Sequence, residues 1–227
     1  MEPYKPIISF NLGSLIIDIK PEAIIQLVII LLVGILAWYA TKDLKSKPQG
    51  KKQVIIEYLY NLIKNVVDSN MGKEYRDVIP FIGTLAIFIL IMNLTGLVGI
   101  AAPTKNFSVT IALSLIVFVF IQAYTVRKKG IKKYFGGYAK PMAVMLPINI
   151  LERIMLPISL ALRLFGNILA ATVLVELVYQ GLSSLAWIAE IGLPIPLHAY
   201  FDIFDGAIQM VIFVMLTMIN TKITVEH

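Results

Sequence analysis

The 227-residue chain has no cysteine, which excludes disulfides, thiolate chemistry and cysteine-ligated metals. Histidine is nearly missing too: His198 and His227 lie far apart without metal-ligand spacing, so no metal site is expected. Charged residues make up only 15% of the chain against 58% hydrophobic residues, and the mean hydropathy is +0.82. A soluble domain carries an apolar share of about 45–50%, so a water-facing globule is excluded and an integral membrane protein is expected. There is no phosphate-binding glycine loop, no HExxH pair and no nucleophile paired with a base. The chain is therefore not expected to be an enzyme in its own right or to hold a cofactor. The N-terminal stretch MEPYKPIISFNLGSLIIDIK lacks the basic segment, apolar core and small-residue site of a cleavable leader, and none is expected.

What is present is a series of apolar runs separated by lysine clusters. The net charge of +6 sits largely in two such clusters, where membrane orientation explains it and nucleic acid is not needed as a partner. Residues 22–41 form a first span of about the 20 residues a bilayer requires. KDLKSKPQGKK, 42–52, has five lysines against one aspartate, and the positive-inside rule places it in the cytoplasm, with the N-terminus outside. Residues 53–70 put Ile55, Leu59, Leu62, Ile63 and Val66 on one stripe and read as an amphipathic helix along the inner surface. Spans two and three cover about 78–100 and 107–126, joined by the outer turn AAPTKN. The loop 127–140 has six basic residues and no acidic one, and returns the chain to the cytoplasm. A long run, 142–180, would reach about 58 Å as one straight helix, so it must tilt or bend, with Pro147 and Pro157 as the expected bends. After an outer turn at 181–196, with Trp187 in the interfacial belt, the last run, 197–221, ends inside. The expected fold is an all-α integral membrane protein of about five transmembrane helices plus an amphipathic surface helix. It forms a single membrane domain: an outer N-terminal segment, 1–21, peripheral helices, 22–141, and a helical hairpin, 142–227.

Arg163 is the anomaly in the long run. A charge at the centre of a membrane helix costs roughly 2.5–3.5 kcal/mol on insertion scales, and arginine cannot escape by losing its proton. At about 100° per residue, Asn149, Glu152, Ser159, Arg163 and Asn167 fall within roughly 40° of one line. Thr172, Glu176 and Gln180 lie on the far side of the helix, all C-terminal to the arginine. On the final run Asp202, Asp205, Gln209, Leu216 and Asn220 share a stripe. Two readings follow. These groups satisfy one another in a buried bundle, with Asp202 and Asp205 capping a helix start; or they form two lanes, Asn149 and Glu152 on the cytoplasmic side and Thr172, Glu176, Gln180 and Asp202 on the outer side. Lanes that fail to meet, with a fixed cation between them, need a partner to complete the path. A carboxylate on a neighbouring subunit suits, because it pairs with arginine when ionised and enters lipid only when neutralised.

The run Pro157-Ile-Ser-Leu-Ala-Leu-Arg163-Leu-Phe-Gly-Asn167 resembles the signature of subunit a of rotary F-type ATP synthases. Pro48 with Gln53 and Glu57, Asn93-Leu-Thr-Gly96-Leu, Pro103-Thr104 before Val109-Thr110, and Phe201-Asp202-Ile-Phe before Gly206 and Gln209 with Met215-Leu-Thr217 are similar to landmarks of that family. The resemblance implies a non-catalytic stator subunit of the bacterial plasma membrane that carries H⁺ or Na⁺ to and from the carboxylate of the rotor ring, subunit c, with Arg163 blocking direct leak. It also implies a peripheral-stalk partner, subunit b, and the remaining synthase subunits. In that family the last two long helices lie steeply tilted against the rotor, and the amides matching Asn167 and Gln209 lie close to the arginine. This chain departs at Asn106, where the family often has aspartate, at Thr172, where some members have glutamate, and at Asn220, where an aromatic is usual. A secondary transporter with an intramembrane arginine as substrate site is the competing function; a purely structural anchor leaves the arginine unexplained.

Overall fold

The structure is a computed structural model, describing residues 8–12, 15–19, 21–42, 44, 50–98, 102–137, 144, 146–183 and 200–226. Among the described residues five helices are long and apolar enough to cross a membrane: Ala23–Thr41, Lys73–Leu97, Phe107–Lys129, Leu146–Gly181 and Tyr200–Glu226. An antiparallel hairpin of β1 (Ile8–Leu12) and β2 (Leu15–Ile19) precedes them, with Ile8 opposite Ile19 and Leu12 opposite Leu15. Among the described residues the hairpin is the part that an all-α expectation does not include.

Helix α1 (Pro21–Thr41) starts at a proline, whose missing N–H costs nothing in the first turn. It is loosely held: Ile29 is buried against Met92 and Val109, while Leu27, Leu31, Ile35 and Trp38 are exposed. Its exposed face is suited to lipid. Helix α2 (Lys51–Asn70) is the amphipathic element. Val67 is buried, and Ile63 and Val66 pack on the bundle, but Ile55, Leu59 and Leu62 of the expected stripe are exposed. The chain leaves α2 through Gly72, whose φ of +113° favours glycine, and a 3-10 turn, Lys73–Val78. Arg76 closes this bend on Asp68, with Nε donating to Oδ1 at 2.9 Å and to Oδ2 at 3.2 Å and Nη2 to Oδ2 at 2.6 Å.

The bundle proper consists of α3 (Ile79–Leu94), α4 (Phe107–Lys129), α6 (Leu146–Ser183) and α7 (Gly206–Glu226), around Ile82, Ile89, Val117, Ile121, Leu164 and Met218. Helix α6 packs chiefly along α4, and α7 along α3 and α4, so the two arms of the expected hairpin enclose α4 and touch each other over a smaller area. Lipid supplies no hydrophobic drive between helices, so close packing and polar links must hold them. Phe81 stacks on Phe120 with ring centroids 3.6 Å apart. Buried hydroxyls on the packed faces, Thr110, Ser114, Thr125, Thr217 and Thr221, turn back to carbonyls three or four residues earlier on their own helices. They thus remain satisfied while presenting small side chains to the neighbour.

Two expectations need correction. The basic segment 127–140 is not simply a loop: α4 continues to Lys129, Gly130 turns the chain, and α5 (Ile131–Gly137) follows. Pro147 is not a bend, because α6 begins at Leu146 and the proline occupies its second position. The helix continues through Pro157, and its 38 residues correspond to about 57 Å. The outer turn with Trp187 lies outside the described residues from 184 onward.

Candidate functional site: an outward arginine and a polar node

The rotation of α6 is set by its buried residues, Pro157, Leu160, Ala161, Leu164, Ile168 and Val175. At about 100° per residue they centre roughly 110° from Arg163. With that stripe committed to the bundle, Arg163 is exposed, as are Glu152 and Ser159, while Asn149 and Asn167 are half-buried at the edge of the same face. Among the described residues Arg163 makes no hydrogen bond or ion pair. A guanidinium within a membrane-length apolar helix, facing away from its own bundle, is a group awaiting a counter-charge.

On the far side of α6, Glu176 and Gln180 are exposed, and half-buried Thr172 donates its hydroxyl to Ile168 O at 2.8 Å. Thr172 is therefore partly committed to its own helix. The chain enters α7 through a π-helical turn, Tyr200–Asp205. Its wider i→i+5 winding means that the 100° rule does not carry Asp202 and Asp205 onto the face of Gln209. Asp202 is half-buried against the end of α3, whereas Gln209 is 5% exposed within the bundle. Asn220 donates to Leu216 O at 2.8 Å, a local satisfaction that accounts for an amide there.

A node at the end of α3 joins segments far apart in sequence. Asn93, 4% exposed, donates Nδ2 to the carbonyl of Gly206 at 3.2 Å and accepts on Oδ1 from the Thr104 hydroxyl at 3.2 Å. Thr104 belongs to a 3-10 turn, Pro103–Lys105, that leads into α4, where Asn106 caps the helix by accepting from the Ser108 N–H at 3.0 Å. The amide at 106 thus has a structural use that any carboxylate there would share. A second link was missed in the sequence. The long run contains Arg153 as well as Arg163, and Arg153 Nη1 donates to Thr224 Oγ1 at 2.5 Å, tying the start of α6 to the end of α7. The available signal was a second arginine beside Glu152.

Comparison with known proteins decides what this arrangement belongs to. Residues 23–221 match the family model described as ATP synthase A chain. The chain belongs to the ATP synthase subunit a family. It is 36% identical over 229 residues to ATP synthase subunit a of Staphylococcus saprophyticus, covering 94% of each chain. It is 32% identical over 247 residues to the subunit a of Staphylococcus carnosus, covering both chains completely. A sodium-ion-specific subunit a, from Propionigenium modestum, is 31% identical over 208 residues, 85% of this chain and 69% of that one. Subunit a membership makes the chain an ion-translocating stator subunit in the membrane sector of a rotary ATP synthase, located in a bacterial membrane. No observation favours the transporter alternative. Of the subunit a landmarks quoted above, Asn93, Thr104 and Gly206 meet at one point in space, and Gly96 meets Asp202 beside it.

Proposed function

We propose that Arg163 is the station at which a carboxylate of the rotor ring, subunit c, exchanges its ion. The observation that carries this reading is the outward, unpaired guanidinium on a face of α6 that the chain's own bundle leaves uncovered. An arriving ionised carboxylate pairs with it. Departure into lipid requires neutralisation by H⁺ or Na⁺ first, so Arg163 enforces the order of loading and movement. The transmembrane potential supplies about 2.3 kcal/mol per charge per 100 mV, which forced exchange at the arginine converts into rotation.

Asn149 and Glu152 serve the cytoplasmic half-channel, and Thr172, Glu176 and Asp202 the outer one; Asn167 and Gln209 support the exchange as amides. Residues 142–227 are the translocating unit, a peripheral-stalk subunit b is a further partner, and the N-terminus lies outside with the C-terminus in the cytoplasm. Vesicles containing the whole complex test the reading. Arg163→Ala is expected to abolish ATP synthesis driven by an imposed ion gradient and to raise passive ion leak. Arg163→Lys is expected to fail as well, since a compact ammonium lacks the forked donor and can lose its proton when desolvated. Synthesis by Arg163→Ala near the parent rate would make the arginine structural and sink the proposal.

A further inference from the structure

The π-helical turn Tyr200–Asp205 brings Asp202 against Gly96, in the 3-10 turn Thr95–Val98 at the end of α3. A methyl group added at Gly96 would lie 2.8 Å from Cγ, Oδ1 and Oδ2 of Asp202. Side-chain carbons do not approach other atoms that closely, so the carboxyl group of Asp202 occupies the volume that a side chain at position 96 would fill. Three residues before Gly96, Asn93 is bonded both to Gly206 and to Thr104, and a Cβ on Gly206 would meet Asn93 Cβ at 3.1 Å. The segment bearing Asp202 and the segment bearing Gly96 are thus fixed against each other immediately next to the contact.

We propose that the space beside Gly96 is a socket for one carboxylate on the outer path, and that Gly96 is a positioning residue that leaves the socket open for Asp202. This rests on the reading of Asp202 as an outer-path group. Ion transfer then depends on a carboxylate being in the socket, and the strand of chain that delivers it is interchangeable. An aspartate at position 96 carries its own carboxyl group one carbon–carbon bond beyond the Cβ position and so reaches the same region. With Asp202 still present, two carboxylates compete for the same volume.

The test is ATP-driven ion pumping by inverted vesicles holding the intact complex, measured across outer-side pH for Asp202→Gly, Gly96→Asp, the double variant, and Gly96→Ala. Each single replacement is expected to lower pumping about tenfold. Gly96→Ala should also shift the pH profile, because it displaces the carboxylate without removing it. The double variant, Gly96→Asp with Asp202→Gly, should exceed both of its parents and regain at least a third of the original rate, whereas Gly96→Asn with Asp202→Gly, which restores the volume without the charge, should not; equal recovery by the two would make the contact one of packing and overturn the socket. Asp202→Gly pumping at the original rate would remove Asp202 from the path, and the socket with it. Asp202→Gly inactive, with Gly96→Ala normal in rate and pH profile or the double variant no better than Asp202→Gly, would overturn the socket alone. Because the chain has no cysteine, Gly96→Cys with Asp202→Cys gives a second reading that does not need pumping: the thiols of the assembled complex should oxidise to a disulfide and resist maleimide. Persistent labelling of both would equally overturn the proposal.

Discussion

At the scale of single residues, the energetics of the polar node differ from those of the arginine. On the proposed reading Arg163 takes its counter-charge from outside the chain, whereas Asn93 is satisfied twice inside it, away from water that could replace either partner. Removing Asn93 leaves a buried carbonyl and a hydroxyl without it, at about 1–3 kcal/mol for each group that finds no substitute. Asn93→Ala should therefore lower the stability of the detergent-solubilised complex clearly, and Thr104→Val by less, since Asn93 keeps its bond to Gly206. Denaturant titration followed by circular dichroism checks the ranking; equal and negligible effects would show that the node is not holding the fold. The arginine was legible in the sequence because a permanent charge in an apolar run is anomalous on its own. The node was not, because Asn93 and Gly206 are 113 positions apart and neither is unusual where it stands.

At the scale of elements, run length and hydropathy located every span, since the bilayer demands about 20 apolar residues whatever the tertiary context. Local winding was less legible. A π turn at Asp202 and a proline at the second position of α6 depend on which neighbours take up the backbone groups, and the 100° rule assumes an α-helix throughout. The charges of the basic segment after α4 suggest a loop in water, yet lysines and arginines are good helix formers and the segment is helical over Ile131–Gly137. The Arg153–Thr224 link gives α6 an anchor at one end only a few turns from Arg163. Arg153→Ala should raise amide hydrogen exchange in residues 146–156, leaving the packed stretch around Leu164 protected; unchanged exchange would mean that α4 alone sets the position of α6. The bend after α2 carries a pH dependence. The Arg76 guanidinium, mainly through its hydrogen bonds, holds the half-buried Asp68 carboxyl below its ordinary value of 3.8. The clasp is therefore intact above that value and is lost as pH falls through the lowered folded-state pKa. Amide hydrogen exchange of residues 68–78, labelled at each pH, should rise above its intrinsic pH trend only in that acid range, and Asp68→Asn should remove the pH step.

At the scale of the whole molecule, the described contacts give the bundle two chemically distinct ends. Lys128 donates to Glu74 O at 2.8 Å and lies 4.0 Å over the Tyr75 ring, Lys222 reaches Asn70 O, and Arg153 meets Thr224, so the basic end gathers the close of α2, α4 and α7 with the start of α6. The opposite end gathers Asn93, Gly96, Thr104, Asp202 and Gly206. Glu152 belongs to the first end by its place beside Arg153, and Asp202 to the second. If the positive-inside rule fixes the basic end in the cytoplasm, the two proposed half-channels must open on opposite faces of the membrane, with Arg163 between them. The absence of native cysteine makes this testable in one background. Cysteines replacing Lys45 and Lys132 should react with an impermeant maleimide only in inverted vesicles. Cysteines replacing Glu152 should make ATP-driven pumping silver-sensitive from the cytoplasmic side, and those replacing Glu176 or Asp202 from the outer side. Sensitivity of the 152 and 176 variants from one common side would leave the polar groups of α6 as structural pairs, because a single continuous lane past Arg163 offers an ion no reason to wait for the rotor.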